Sequence, residues 1–274
     1  MKILFRAFLL LFIWSACLPA YGQLSRANKD YEMGAFNLAV RGYLELLEKR
    51  PGNYEAMLKL ADSYRYLNQM DEARSWYERV LADRDGRKQM VDEYPFQYAE
   101  VLMALGQYDK ARQWFEAYAK VQRTNEENAA KGQQFAQNCI FAQNQMGQSS
   151  PYQVSNEYIN TTSSDFGPAF YGDQVAFSSA RTDLSPAGST WTGKANNQLF
   201  MARVGDNGFL EAPVPFQNRL QEDKPFVNVG PVSYTQDGNS VAFTKNNFID
   251  GTRHIPTGGL ELSLSIAQIN PSGE

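Results

Sequence analysis

The sequence predicts a multi-domain protein, in which an all-helical unit over residues 23–150 precedes a β-sheet unit over residues 151–274. In the first of these ranges, three similar segments recur at spacings of 34 and 38 residues. After Pro151, helix-forming residues thin out, and short β-forming runs alternate with Gly, Pro, Asn, Ser and Thr. Two similar stretches follow, GPAFYGDQVAFSSA at 167–180 and GPVSYTQDGNSVAF at 230–243. Helices followed by repeated strand-turn-strand units indicate an α unit and then a β unit.

The N-terminus has the pattern of a secretory signal peptide over residues 1–22. Lys2 and Arg6 stand at the start of an apolar run that ends at Cys17, and the small residues Ala20 and Gly22 form a cleavage site. The apolar run is too short for a membrane-spanning helix, which needs about 20 apolar residues. We expect export from the cytoplasm and no transmembrane helix after cleavage.

Cys17 offers a second processing route, because a lipoprotein signal also places small residues before a cysteine. Trp14 stands where that signal requires a leucine-like residue, so the sequence favours ordinary cleavage after Gly22. Cleavage there leaves Cys139 as the single cysteine. We expect Cys139 to be a small core residue.

Composition excludes some classes of partner. The chain has 274 residues, 43% apolar and 20% charged, which is enough for one or two buried cores. Loss of the signal peptide leaves 24 Lys and Arg against 30 Asp and Glu, and no basic stripe runs along the sequence. Neither nucleic acid nor an anionic membrane surface is therefore an expected partner.

The helical segments GAFNLAVRGY (34–43), NQMDEARSWY (68–77) and GQYDKARQWF (106–115) share one pattern of small and large residues. They resemble the tetratricopeptide repeat, whose helix pairs stack into a solenoid with a period of 34 residues. The resemblance implies about three repeats, with a capping helix over about 125–146. The expected small residues at helix crossings are Ala39, Ala73 and Ala111, and the expected large residues one turn later are Tyr43, Tyr77 and Phe115.

In this family the first helix of each repeat lines a groove that binds extended peptides or helices of partner proteins. The resemblance therefore implies a partner-binding groove, and it lacks the Lys and Asn combination with which some members hold a C-terminal carboxylate. An ordinary solvated surface is the alternative for any one of these residues. The groove candidates are Asn28, Tyr31, Asp62, Arg65, Tyr66, Glu100 and Met103.

The second unit contains two copies of an aromatic strand, a tight turn and a Val-Ala-Phe strand. The stretch from Pro231 to Phe243 resembles the WD40-like, TolB-type β-propeller repeat. About two blades fit, whereas propellers close with typically 4–8 blades, so the resemblance implies an incomplete propeller that is truncated or completed by a partner. Strands are expected over 167–171, 174–179, 198–204 and 209–216, then over 232–235, 240–245 and 260–269, with an outer strand over 152–159.

Two long polar loops, 181–197 and 246–259, occupy equivalent places in the two blades. Loops of this kind build the faces of propellers and often carry binding residues. Trp191 is therefore a candidate contact residue. A loop aromatic that covers the blade edge is the alternative interpretation.

The order of signal peptide, tetratricopeptide array and WD40-like propeller is similar to the N-terminal part of OmpA-family envelope proteins of the Bacteroidetes type. One branch of that family belongs to the type IX secretion machinery. The resemblance implies a periplasmic location in association with the outer membrane, and envelope proteins, including secretion-machinery subunits, as partners. It also implies peptidoglycan anchoring, but only through C-terminal domains that are absent from this sequence.

No catalytic constellation is found in the sequence. His254 is the single histidine, and there is no G-x-S-x-G elbow, H-E-x-x-H motif, P-loop or Cys/His cluster. We therefore expect no enzymatic activity, no cofactor and no metal site. The predicted function is a non-catalytic envelope scaffold; the alternative is an accessory portion of a carbohydrate or peptide hydrolase whose catalytic domain lies beyond residue 274.

Overall fold

The computed structural model describes residues 22–122, 124–148, 152, 154–182, 193–216, 228–246 and 262–269. The chain divides into two compact units between Tyr152 and Gln153. The first unit is helical and the second is built of antiparallel sheets. Nearly all of the predicted signal peptide, including Cys17, lies outside the described residues, as does His254.

The described part of the helical unit contains helix pairs followed by one longer helix. The helices are α1 (22–32), α2 (Phe36–Lys49), α3 (Tyr54–Tyr66), α4 (Met70–Ala82), the single turn α5 (Arg84–Arg87), α6 (Tyr94–Ala104), α7 (Tyr108–Val121) and α8 (Glu126–Met146). Helices α1, α3 and α6 are the first helices of three successive pairs, and α2, α4 and α7 are their partners.

The same backbone turn joins the two helices of each pair. Gly34, Asn68 and Gly106 stand at equivalent positions and have positive φ angles of 74°, 58° and 72°. In the second and third pairs, the amide of the next residue completes the motif. Gln69 N–H donates to the Tyr64 carbonyl at 2.9 Å, and Gln107 N–H donates to the Leu102 carbonyl at 2.8 Å. Glycine adopts this left-handed conformation without steric cost and asparagine tolerates it, so each first helix ends at a defined residue.

Core packing confirms the predicted pattern of small and large residues. All six predicted positions, Ala39, Ala73, Ala111, Tyr43, Tyr77 and Phe115, are fully buried. In the first pair the crossing is especially close, since a Cβ added to Gly42 would lie 2.9 Å from the Ala27 Cβ. Small residues on both sides therefore allow the two helices to touch, and the large rings fill the space beside them.

Helix α8 packs against α7 at the end of the array. It begins after Asn125, whose side chain accepts a hydrogen bond from the Asn128 amide at 3.0 Å and caps the helix. Phe135 packs edge-on against Phe96 with ring centroids 5.0 Å apart. Cys139 is buried and unbonded to other cysteines, which confirms its prediction as a core residue.

The described residues of the second unit form two antiparallel sheets. The first has the order β1 (Asp165–Tyr171), β2 (Gln174–Ser179), β3 (Gln198–Arg203) and β4 (Val214–Pro215). The second has the order β5 (Val229–Tyr234), β6 (Ser240–Asn246) and β7 (Leu262–Gln268). Neither sheet closes on itself within the described residues.

The repeated Gly-Pro dipeptide marks a register shift in the first strand of each sheet. The pairing of β1 with β2 shifts between Phe166 and Ala169, and the pairing of β5 with β6 shifts between Val229 and Val232. Proline has no amide hydrogen for the ladder, so a bulge is the place where a strand accommodates it. The two bulges also meet, because a Cβ on Gly167 would lie 2.4 Å from the Pro231 Cγ.

A buried ion pair holds the start of the first sheet. Arg181 Nη2 lies 3.0 Å from Asp165 Oδ1, and both side chains are nearly inaccessible to water. Asp165 also accepts hydrogen bonds from Thr161 and Ser179. Burial alone would raise the pKa of Asp165, but these hydrogen bonds outweigh it and lower the pKa.

Some predicted strands are shorter or absent. The expected strand over 209–216 reduces to Val214–Pro215, with an isolated bridge between Val204 and Leu210. Pro213 and Pro215 explain this result, since neither can donate to a ladder. Residues 154–160 form no strand, which corrects the outer strand expected over 152–159.

Gly132 on α8 provides a test of the packing against α7. A Cβ at this position would lie 2.9 Å from the Phe115 carbonyl oxygen and 3.0 Å from the Ala119 Cβ. Alanine is the better helix former by about 1 kcal/mol, but overpacking costs about 1–3 kcal/mol, so we expect Gly132→Ala to destabilise the helical unit. Chemical denaturation followed by helical circular dichroism measures the change.

Gly52→Ala is the matched control, because no atom lies within 4 Å of the added Cβ. We expect this control to be stabilising by about 0.4–1 kcal/mol through the unfolded chain. A Gly132→Ala variant as stable as Gly52→Ala would contradict the close contact between α7 and α8.

Candidate functional site

The candidate site is the face formed by the first helices of the three pairs, which we call the α1/α3/α6 face. It carries all seven residues predicted from the sequence as groove candidates. One chain of polar contacts joins Tyr31, Asp62, Arg65 and Glu100. Asn28 and Tyr66 lie beside that chain, and Met103 packs toward the core.

The polar chain links all three helices of the face. The Tyr31 hydroxyl on α1 donates a short hydrogen bond to Asp62 Oδ2 on α3. The other oxygen of Asp62 accepts from Arg65 Nε at 2.6 Å, one helical turn along α3. Arg65 Nη1 in turn donates to Glu100 Oε2 on α6 at 3.2 Å. One tyrosine, two carboxylates and one guanidinium thus connect three successive repeats.

Asp62 is the centre of this chain and has no exposed surface. A buried carboxylate is tolerated when it is paired and its oxygens accept hydrogen bonds, and here each oxygen has a partner. Asp62 therefore positions Tyr31 and Arg65 and is not itself presented to a ligand. This placement differs from the expectation of a groove-lining side chain, since the repeat pattern predicts the face of a helix but not the depth of a residue.

The pKa values of three members of the chain, Arg65, Glu100 and Tyr31, are raised by burial or by neighbouring charges. Burial alone would lower the pKa of Arg65, but the nearby carboxylates of Asp62 and Glu100 have the larger effect together. The pKa of Arg65 is therefore raised, and the guanidinium stays charged. Burial raises the pKa of Glu100, and Arg65 only partly opposes this effect. Desolvation and then the Asp62 charge raise the pKa of the Tyr31 phenol. Tyr31 therefore remains a hydrogen-bond donor at any physiological pH.

Asn28 forms a second link, between α1, α2 and α3. Its side-chain oxygen accepts from the Tyr43 hydroxyl at 2.7 Å, and its side-chain nitrogen donates to Glu55 Oε1 at 3.1 Å. Tyr43 itself fills the core of the first pair. Because Tyr43 is fixed in the core, its hydrogen bond to Asn28 orients the Asn28 side chain, which in turn orients the Glu55 carboxylate.

Tyr66 presents an aromatic surface at the end of α3. Its ring stacks on Phe36 with centroids 4.2 Å apart and planes 6° from parallel, and 52% of the residue stays exposed. The Arg65 guanidinium lies 4.3 Å from the centroid of the same ring. A stacked, exposed tyrosine held by two neighbours is a preorganised apolar contact, the kind of residue enriched at protein interfaces.

Sequence reasoning missed several members of the face. Phe36 lies at the start of a second helix, and Glu93 lies just before α6, so neither follows the first-helix pattern. Tyr94 is half-buried near Asp62, Glu55 and Asp92, and desolvation followed by these charges raises its pKa to about 12. Glu55 and Glu93 are 38 residues apart, which is the spacing of these two repeats, and their equivalent positions could have revealed them.

Other expected sites yield little in the described parts of the chain. Trp191, the candidate propeller-loop contact, lies outside the described residues. Within the described ranges, no three His, Cys, Asp or Glu side chains are grouped so that they could hold a metal ion. None of the helices in these ranges has the length and apolar character needed to cross a membrane.

Family comparison assigns repeats to the helical unit. Residues 24–88 match one tetratricopeptide repeat model, and residues 96–125 match a second. These ranges span α1 to α5 and α6 to α7. Tetratricopeptide repeats are therefore present in the N-terminal region. A comparison with curated proteins found no match.

Two solved structures of tetratricopeptide domains are similar to part of the chain. The first is the NMR structure of the first TPR domain of the human RPAP3 protein, at 18% identity and a TM-score of 0.39, covering 46% of this chain and 95% of that one. The second is the crystal structure of the Sgt2 TPR domain from Aspergillus fumigatus, at 14% identity and a TM-score of 0.39, covering 50% of this chain and 89% of that one.

The central role of Asp62 can be tested by substitution. Asp62→Ala removes the acceptor of both Tyr31 and Arg65 in a buried place. Breaking a buried pair costs about 3–5 kcal/mol, and because Arg65 keeps Glu100 we expect a loss of about 2–3 kcal/mol in the free energy of unfolding. Urea denaturation of the variant and the wild type measures it.

Asp71→Ala is the matched control, since Asp71 also pairs with an arginine three residues later on a helix but is largely exposed. Its expected cost is at most about 1 kcal/mol. Equal losses for the two variants would contradict the role of Asp62 as a buried centre of the face.

Proposed function

We propose that this protein is a non-catalytic scaffold whose helical unit binds a protein partner on the α1/α3/α6 face. The tetratricopeptide repeats support this function, because their stacked helix pairs form extended surfaces for protein partners. The observation that carries the proposal is the chain from Tyr31 through Asp62 and Arg65 to Glu100. This chain of contacts fixes the relative positions of three repeats in the free protein.

Rigidity of this kind lowers the entropic cost of binding. A partner that docks on a preorganised face need not order the helices or their charged side chains at the moment of contact. Tyr66 then acts as the aromatic anchor, since its ring is already stacked on Phe36 and half of it faces solvent. Such anchors carry a large share of the binding energy in protein interfaces.

We propose further that the two sheets of the second unit are blades of an incomplete WD40-like propeller. The matching bulges at Gly167 and Pro231 and the Asp-Gly turn at Asp237 support equivalent blades. Val232, Val241 and Phe243 of the second sheet share a core with Ala176 and Leu199 of the first. In this arrangement the propeller face provides a second interaction surface, in addition to the helical one.

The cellular setting that we propose is the periplasm, with association to the outer membrane. The signal-peptide pattern of residues 1–22 supports export, and the order of units resembles OmpA-family envelope proteins. Envelope proteins, including type IX secretion subunits, are then the candidate partners. No observation on the described residues favours the hydrolase alternative.

Site-specific photocrosslinking tests partner binding in the source cell. A photoreactive phenylalanine analogue that replaces Tyr66 on the face should give a discrete crosslinked adduct. The same analogue at Phe141 on α8, which is 65% exposed, is the control for nonspecific capture. Immunoblotting of the full chain reveals the adducts. An identical adduct pattern from both positions, or none from Tyr66, would argue against the proposed face.

Mass spectrometry of the protein purified from the source cell tests export. We expect Gln23 at the N-terminus, because cleavage follows Gly22. A lipid-modified Cys17 at the N-terminus would still place the protein in the envelope by the second route. An intact N-terminus that begins at Met1 in the soluble cytoplasmic fraction would exclude the proposed location.

A further inference from the structure

Three cations on or beside the α1/α3/α6 face, Arg65, Lys59 and Lys131, are already engaged by groups of the protein. Arg65 uses Nε and Nη1 for Asp62 and Glu100. Lys59 Nζ lies 3.7 Å from Glu55 Oε1 and 5.5 Å from the centroid of the Tyr31 ring. Lys131 Nζ lies 4.0 Å from the centroid of the Phe96 ring. A bound anion would therefore have to displace an existing contact in order to gain one.

Three carboxylates of the face each accept hydrogen bonds from described residues through one oxygen only. Glu55 Oε1 accepts from Asn28, Glu93 Oε1 accepts from Tyr118 and Asn128, and Glu100 Oε2 accepts from Arg65. The second oxygen of each of these three carboxylates receives no hydrogen bond from any described residue. Three carboxylates thus keep fixed orientations while each leaves one acceptor open.

The aromatic pair of Tyr66 and Phe36 adds an element that is independent of charge. Tyr66 is 52% exposed, so its ring offers apolar surface to a side chain of a partner. Phe36 is stacked on the Tyr66 ring and the Arg65 guanidinium already lies over it, so the exposed surface of the ring is left for an apolar side chain. Open acceptors along the face, together with an exposed ring at the end of α3, suit the long, donor-rich side chains of arginine and lysine.

We propose, on the basis of the function proposed above, that the α1/α3/α6 face binds a positively charged segment of a protein partner. Arginine or lysine side chains of that segment donate to Glu55, Glu93 and Glu100, and a neighbouring apolar side chain packs on Tyr66. The opposite partner chemistry, an acidic segment, lacks donors for these oxygens and would meet like charge. The formal net charge of −4 for the whole chain adds a long-range attraction for a basic partner.

Binding of synthetic peptides to the full chain, measured by fluorescence anisotropy, tests this chemistry. Three short peptides have the same leucines at the same positions. The residues between the leucines are arginine in the first peptide, its neutral isostere citrulline in the second, and glutamate in the third. We expect the arginine peptide to bind about tenfold or more tightly than the citrulline peptide, and the glutamate peptide not to bind. The affinity of the arginine peptide should fall as ionic strength rises.

Substitutions on the face show where the peptide binds. Glu55→Lys reverses an exposed charge, and Glu100→Gln keeps the shape of a half-buried side chain while removing its charge. We expect each to weaken the arginine peptide about threefold or more. Glu116→Lys on α7 makes the same charge change as Glu55→Lys on an exposed residue outside the face and should leave the affinity unchanged. Circular dichroism confirms that all variants are folded.

The outcomes separate this inference from the function on which it rests. Equal binding of the arginine and citrulline peptides, or preference for the glutamate peptide, overturns the basic segment. Equal weakening by Glu116→Lys and Glu55→Lys also overturns it, because general charge attraction then explains the binding. In both cases a specific photocrosslink at Tyr66 would still support partner binding on this face. Absence of that crosslink would instead remove the proposed function itself.

Discussion

The close crossing of the two helices in each pair is the contact on which the helical unit depends. Alanines at equivalent crossing positions, such as Ala39 and Ala73, have no exposed surface, and a larger side chain there would separate the helices. The rings of Tyr43 and Tyr77 fill the remaining space one turn later. Because each pair is compact, successive first helices lie close enough for side chains on one repeat to reach the next.

That proximity makes a buried charge at Asp62 possible. Taking a carboxylate out of water is costly, and the cost is offset here by the Tyr31 hydroxyl and the Arg65 guanidinium, both held by neighbouring packing. A hydrophobic residue could have filled the same volume. A polar centre instead specifies the mutual position of α1, α3 and α6, and it leaves Glu100 and Tyr66 displayed in fixed orientations. Specification of the geometry of the face explains the polar chain better than stability does.

The β unit solves a related problem with backbone geometry. Each Gly-Pro dipeptide interrupts the ladder of the first strand in a sheet, where the missing proline amide would otherwise leave a carbonyl unpaired. The two interrupted strands, β1 and β5, then approach each other at Gly167 and Pro231 more closely than a side chain on Gly167 would permit. The Gly-Pro dipeptide therefore has a role in packing the two strands together, in addition to its role in the bulge.

The sequence by itself determined the repeat spacing, the helix pairs, the crossing alanines and most strand positions, since periodicity and turn residues are local signals. It also identified Tyr31, Asp62, Arg65 and Glu100 as members of one face. Only the tertiary structure decided that Asp62 is buried, that Arg65 spans 35 residues of sequence to reach Glu100, and that Glu93 accepts hydrogen bonds from Tyr118 and Asn128. Periodicity indicates which side of a helix a residue occupies, whereas depth and partners depend on how neighbouring repeats pack against that side.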